Sequence, residues 1–357
     1  MNPLVEIIRE EIVRCGVMSW PRFMSLALDH PEHGFYQQPG RVGRAGDFYT
    51  SVSVGSMFGE LLGFWLSEKL ETLQGRVQII EAGANEGQMA CDILDWLLQH
   101  RPETYQRTEY LILEPSVRRR DWQKQTLRNH PTNVRWVKDW SDIPTHSVRG
   151  VIVSNELLDA FPVEVWRWDR STQCWNEFGV TLEDQVLKWA PLLSKGCIPH
   201  ELERFTSSLA QFLPEGYQRE LGRQAISWWQ EASQRLGQGW LMAFDYGGAE
   251  IDFWAPDRPH GTLRGYRKHQ SAPVLEAESG EVDLTSSVNF SLIQNAGEAG
   301  GLVTEFYERQ QVFLIKTLTA WMAQGLEISP TQTRALATLT RPEFLGTKFK
   351  AILQYRP

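Results

Sequence analysis

The sequence predicts an α/β chain built on a doubly wound, mostly parallel sheet, with a helical and loop-rich N-terminal segment and an inserted subdomain. Three observations carry this. Four short apolar runs, 77–80, 110–113, 134–137 and 150–153, follow one another along the chain. A stretch with helical spacing of apolar residues, 88–100, and a basic helical stretch, 117–129, separate the first three, so strand alternates with helix and right-handed crossovers make the strands parallel. Each run ends in a polar or acidic residue, and the first feeds a glycine-containing turn. At 357 residues the chain has room for about two domains.

The elements follow in order. Leu4, Ile7, Ile8 and Ile12 share one face of an amphipathic N-terminal helix whose Glu6, Glu10 and Glu11 are too acidic for a transit peptide. Residues 20–54 predict a short helix and then a loop. Met57, Phe58, Leu61, Leu62, Trp65, Leu66 and Leu70 recur at helical spacing. Residues 77–80 predict a buried strand, 88–100 a helix with Met89, Ile93, Trp96 and Leu97 inward, 110–113 a strand, 117–129 a basic helix, and 134–137 and 150–153 two further strands. From Pro162 to Trp189 the period shifts to two, with a polar turn at Asp169-Arg-Ser-Thr172, which predicts a hairpin. Residues 200–236 read as helical with a break at Pro214-Glu-Gly216. Residues 240–244 return to a buried strand, 249–290 are loop-rich, 308–324 a helix, and 349–353 a closing strand. The expected division is an N-terminal segment 1–75, a core of 76–162 and 237–357, and an insert 163–236.

Composition narrows the function classes. The net charge is −8 and the pI about 5.6, which gives no general attraction to nucleic-acid phosphate or anionic lipid. No apolar stretch reaches the roughly 18 residues a membrane helix needs. Cys15, Cys91, Cys174 and Cys197 form no CxxC pair and have no histidine cluster near them in sequence, so no metal site is expected and reduced thiols suit a cytoplasmic compartment. The 15 tryptophans are expected to pack rather than share a ligand role.

Four strand ends carry the chemistry. After the first run comes Glu81-Ala-Gly-Ala-Asn-Glu-Gly87. Gly83 and Gly87 permit close backbone approach, and the following helix start offers amides to a polar group. The spacing is neither a Walker loop nor G-x-G-x-x-G, and Glu81 ahead of the first glycine would repel a pyrophosphate. A carboxylate there suits a ligand with a cationic amino-acid end. Glu114 ends the second run, where one acid can serve two ribose hydroxyls. Asp139 and Trp140 follow the third, in reach of an adenine. Asn155, in Ser154-Asn-Glu-Leu-Leu-Asp-Ala-Phe-Pro162, follows the fourth. All four lie on the ligand edge of an open α/β sheet. Together they describe a nucleoside with a charged amino-acid tail, which fits S-adenosylmethionine better than NAD or ATP and predicts a class I methyltransferase-like fold.

The chain also resembles a known family. Leu28-Asp-His-Pro-Glu-His-Gly-Phe-Tyr36, Gly46-Asp-Phe-Tyr-Thr50, Phe58-Gly-Glu60, Glu114-Pro-Ser116, Asn155-Glu-Leu-Leu-Asp-Ala-Phe-Pro162, Asp245-Tyr-Gly247, Gly261-Thr-Leu-Arg264, Asp283-Leu-Thr285 and the Gly346-x-x-Phe-Lys350 ending resemble the MidA family in the family's order. This bacterial and mitochondrial group comprises S-adenosylmethionine-dependent methyltransferases whose mitochondrial members assist respiratory complex I assembly and dimethylate a protein arginine. The resemblance implies a class I methyltransferase fold (Rossmann-like) with an inserted subdomain, S-adenosylmethionine as cofactor and a protein arginine as acceptor. A homodimer is left open. Asn85 stands where the family's glycine loop has its middle glycine, and Val52-Ser53 where it has Pro-Glu. Within this resemblance Glu156, Asp159 and Asp47 are the expected catalytic acids, because a carboxylate beside a guanidinium localises its charge. Arg264 and His269 are open between substrate binding and a structural bridge. Rival readings are an assembly or binding protein on the same scaffold and a small-molecule methyltransferase.

Overall fold

The computed structural model describes residues 3–41, 51–192, 198–255, 258–268, 270–275, 280–341, 346 and 348–357. The chain divides into two compact units. Pro39–Asp159, Ile226–Gly247 and Phe290–Pro357 form one; Met1–Gln38, Ala160–Ala225 and Gly248–Asn289 form the other.

The first of these contains α1 (Met57–Glu71), β1 (Val77–Ala82), α2 (Gln88–His100), β2 (Thr108–Leu113), α3 (Val117–Thr126), β3 (Val134–Val137), β4 (Val148–Asn155), β5 (Leu236–Gly248), β6 (Val303–Arg309), α4 (Gln310–Ala323), α5 (Pro330–Thr340) and β7 (Phe349–Arg356). The strands lie in the order β3-β2-β1-β4-β5-β7-β6. The five from β3 to β5 are parallel, and β7 runs antiparallel between β5 and β6. The order reverses between β1 and β4, so the carboxyl ends of these two strands flank a topological switch point. The predicted doubly wound sheet is present.

Its helices are held by apolar burial. In α1 the residues Phe58, Leu61, Leu62, Phe64, Leu66 and Leu70 are all buried, and only Glu68 and Glu71 are left exposed, so the helix is apolar over most of its circumference because most of its surface is covered. Gly59 and Gly63 bring it against α2. A Cβ at Gly59 would lie 2.5 Å from the Asp92 Cβ, and one at Gly63 3.3 Å from the Trp96 Cβ. This contact places α1, which lies in the expected 1–75 segment, inside the sheet-bearing unit.

The other unit is mainly antiparallel. Strands 164–169 and 174–183 pair with Trp168 opposite Trp175, and the Asp169 Oδ1 accepts the N–H of Ser171 and Thr172 in the turn. This is the predicted hairpin. Strand 218–221 adds to it, pairing Glu164 with Leu221. The stretch 200–236, expected as helix broken at Pro214-Glu-Gly216, thus also holds a strand just after that break, with helix over His200–Leu209 and Arg223–Arg235. Trp166, Trp168, Trp175, Tyr217 and Trp254 bury one aromatic core with Leu202, Leu213 and Leu221, so these tryptophans pack. Residues 248–289, expected in the core, belong to this unit. Among the described residues no helix is long and apolar enough to cross a membrane.

Candidate active site

The glycine turn leaves β1 at Ala82 and enters α2 at Gln88. Gly83, Asn85 and Gly87 all take left-handed backbone angles, with φ of +75°, +46° and +86°. Two are glycines, which carry no Cβ penalty there; Asn tolerates the region better than most residues. A Cβ on Gly83 would approach Leu157 to 3.2 Å. The Gly87 N–H donates to the Ala84 carbonyl at 2.6 Å, closing the turn, and Gly87 caps α2. The amides of the first turn of α2 have no intrahelical acceptors, so the turn is a cradle rich in hydrogen-bond donors.

Beneath the cradle Glu81 is buried, and its Oε2 accepts the Tyr110 hydroxyl at 2.6 Å. Burial pushes its carboxyl up to about 7, against the Tyr110 bond, while the Asp92 charge adds to the rise. The folded state therefore holds this proton more tightly than the unfolded chain. The penalty for ionising it is absent below the unfolded value of 4.5, grows up to about 7 and is complete above. Glu81→Gln is expected to raise stability at pH 8 by up to about 3 kcal/mol, with the gain vanishing toward pH 4.5. Urea unfolding at the two pH values measures this; a gain independent of pH would contradict it.

Glu114 leaves β2 buried, and its carboxylate is held by its own helix. Oε1 accepts the Ser116 N–H at 2.8 Å and Arg119 Nε at 3.0 Å, and Oε2 accepts Gln123 Nε2 at 3.2 Å. A carboxylate offers about four acceptor positions, so three donors leave capacity for another. Gln123, fully buried on α3, also donates to the Asn85 carbonyl at 2.9 Å and accepts the Trp136 indole N–H at 2.8 Å. One amide thus fixes the glycine turn, the acid after β2 and β3 together. Nothing in the sequence signals Gln123, because its three partners lie on three other elements.

After β3, Asp139 is exposed and caps the short turn 140–142, its Oδ1 accepting the Ser141 N–H at 2.8 Å. Hydrogen bonds from Ser141 hold its carboxyl below the usual range. Trp140 is buried against Trp228, ring centroids 5.5 Å apart.

Asn155 ends β4. Its Nδ2 donates to Glu156 Oε1 at 3.1 Å, and its buried Oδ1 has no acceptor role filled among the described residues. Glu156 has φ +52°, a left-handed angle costing a non-glycine residue of order 1–2 kcal/mol. Its N–H donates to the Phe244 carbonyl at 2.9 Å, and Oε1 also accepts the Ser51 N–H at 2.9 Å. Asp159 is buried. The loop between them hangs on Asp245, at the end of the neighbouring strand β5. The wholly buried Asp245 carboxylate accepts the N–H of Leu158 at 2.7 Å, of Asp159 at 3.3 Å and of Tyr246 at 2.8 Å. Burial raises the Asp245 carboxyl and the Glu156 charge raises it further, against these backbone bonds. Asp245 was legible only as part of a family motif; its positioning role depends on partners 86 and 87 residues away.

Asp47, Cys197 and His269 lie outside the described residues. Ser51, whose hydroxyl meets the buried Gln310 amide, is the first described residue after Asp47. The Arg264 guanidinium turns back onto its own loop, donating to the Leu263 carbonyl at 2.7 Å. The Tyr246 and Phe349 rings meet tilted by 40°, their centroids 3.9 Å apart.

A positive-φ cradle, two buried acids ending adjacent strands and an orphaned amide oxygen fit a nucleoside bearing an amino-acid tail. With the strand order β3-β2-β1-β4-β5-β7-β6, they define a class I methyltransferase. The model of an S-adenosyl-L-methionine-dependent methyltransferase family matches residues 61–307. That span is well over half the chain, and the chain belongs to this family, as the MidA resemblance implied; its cofactor is S-adenosylmethionine. Similar curated proteins include the mitochondrial protein arginine methyltransferase NDUFAF7 of Danio rerio, 27% identical over 82% of this chain and 71% of that one. The Homo sapiens protein of that name is 26% identical over 83% and 70%. A COG1565 superfamily member from Burkholderia thailandensis, solved bound to S-adenosyl-homocysteine, is 26% identical with a TM-score of 0.86, covering 99% of this chain and 92% of that one.

Proposed function

We propose that this methyltransferase acts on the guanidinium of a protein arginine, with Glu156 and Asp159 orienting the acceptor. The carrying observation is the acid pair on the β4 loop, braced by Asp245 beside the glycine cradle. The names of the curated relatives support the same acceptor. S-adenosylmethionine supplies an activated methyl group on a sulfonium centre. The cradle from Gly83 to Gly87 would hold its amino-acid end, with Glu81 beneath and Asn155 Oδ1 as a further acceptor for the amino group. Glu114 would take the ribose hydroxyls, and Trp140 would border the adenine.

A guanidinium is a weak nucleophile while its charge is spread over three nitrogens. Carboxylates at two of them localise that charge and leave the third with a lone pair directed at the methyl, and one of these carboxylates takes the proton that the methylated nitrogen must lose. The left-handed angle at Glu156, held at a conformational cost, aims one such carboxylate. Asp47 belongs to the same proposal as a third acid.

A thermal-shift titration with S-adenosylmethionine and a transfer assay with labelled cofactor on a total-protein extract test this. Stabilisation by the cofactor together with label recovered as methylarginine is the expected result. Stabilisation without any protein label moves the acceptor to a small molecule; no stabilisation makes the chain a binding scaffold. Asn85→Gly is expected to leave cofactor affinity equal or tighter, since the backbone angle already suits glycine. A weaker Asn85→Gly complex would assign the Asn85 side chain a direct contact.

A further inference from the structure

We propose that Cys91, Asp95 and His130 form a binding site for a divalent transition-metal ion of the zinc class. Cys91 and Asp95 stand four residues apart on one face of α2, and His130 comes from the turn between α3 and β3. Their ligand atoms all lie within 4.8 Å of one another. His130 Nε2 is 3.0 Å from Asp95 Oδ1, and Cys91 Sγ is 3.6 Å from Asp95 Oδ2. A tetrahedral zinc ion spaces sulfur, nitrogen and oxygen ligands about 3.3–3.6 Å apart, given its bond lengths. The two separations sit near this spacing, each through a different Asp95 oxygen, so closing the set on one ion takes a rotation of the exposed Asp95 carboxylate.

The donor set and its surroundings favour this over magnesium or calcium. A thiol and an imidazole are ligands for zinc-like metals, whereas the harder cations take oxygen. The His130 ring is fully buried, and its Nδ1 pairs with the Tyr105 hydroxyl at 2.8 Å, which directs Nε2 at the cluster. Metal-bound histidines carry this kind of outer hydrogen bond. Asp95 is exposed and Cys91 half-buried, so an ion has access from solvent. Three protein ligands leave a fourth position for water. As the metal–sulfur bond forms, the Cys91 thiol gives its proton to solvent. The ion would tie α2, which starts at the glycine turn, to the end of the segment that carries Gln123. Sequence spacing hides the set, since His130 lies 35 residues beyond Asp95. The plain alternative is a histidine satisfied by Asp95 and Tyr105 beside a passive thiol.

The full chain, freed of metal by a chelator, is titrated with cobalt(II) and then zinc(II). The expected result is saturation near one equivalent, with a sulfur-to-cobalt charge-transfer band that zinc abolishes and a zinc-dependent rise in melting temperature. Cys91→Ser, at a half-buried position, is expected to fold and to lose the band; Cys15→Ser and Cys174→Ser keep it. Tyr105→Phe is expected to weaken binding roughly 10–100-fold. Absence of the band in the wild type, or its persistence in folded Cys91→Ser, overturns the proposal. So does an equal zinc-induced melting shift in both proteins. No readout depends on methyl transfer, so its failure leaves the proposed function untouched.

Discussion

Glu156→Gln and Asp159→Asn are each expected to lower methyl-transfer turnover by roughly 10²–10⁴-fold, the range of a positioned acid or base, while cofactor affinity stays within about threefold. Both changes keep shape and remove charge. In Glu156→Gln the new amide oxygen can still accept from the Ser51 N–H and Asn155 Nδ2, the two bonds Glu156 Oε1 now receives. The Asp159 backbone N–H still reaches Asp245. The loop should therefore survive and the chemical step fail. Asn155→Ala is expected to differ, because it removes the amide at the cradle and weakens cofactor binding. Single-turnover rates and calorimetric affinities on the three variants separate the roles. Equal loss of affinity in all three would make this loop a cofactor wall and move the acceptor site elsewhere. Full turnover on the true acceptor with both acids neutralised would end the guanidinium proposal.

Glu114→Ala is expected to weaken S-adenosylmethionine binding about 10–100-fold, the worth of charge-assisted bonds of roughly 1.5–3 kcal/mol. The structure adds a second effect. Arg119 and Gln123 lose their acceptor together, and Gln123 is also the tie to Asn85. The variant should melt lower as well as bind more weakly. Gln123→Met isolates the indirect part, since it leaves the carboxylate and removes the tie. It should cost less affinity than Glu114→Ala. Unchanged calorimetric affinity in folded Glu114→Ala would defeat the ribose assignment.

Much of the sheet was legible because buried parallel strands are short apolar runs. The run 77–80 grew by two residues into β1, and 150–153 by two at each end into β4. The strand at 218–221 was hidden because Gln218-Arg-Glu-Leu221 is polar and lies between two helices; its partner strand, not its own pattern, makes it a strand. Helix α5 does carry a local signal at its start, the reciprocal bonds of Ser329 and Gln332. At the candidate site the strand-end acids could be placed from sequence, because topology alone sends them to one edge. What holds them could not. Gln123 and Asp245 act through partners distant in sequence, and the left-handed angle at Glu156 has no glycine to announce it.

The antiparallel β7 has a consequence for how the protein is made. It sits between β5 and β6, yet it is translated after both. Between the end of β6 at Arg309 and the start of β7 at Phe349 the ribosome must add 349 − 309 = 40 residues, about 2–8 s of synthesis. Throughout that interval one edge of β5 lacks its final neighbour, and β6, which among the described residues pairs with β7 alone, has no sheet to join. Open edges are templates for pairing between chains. A nascent chain stalled before Phe349 is thus a candidate for chaperone capture, however well its first five parallel strands have formed.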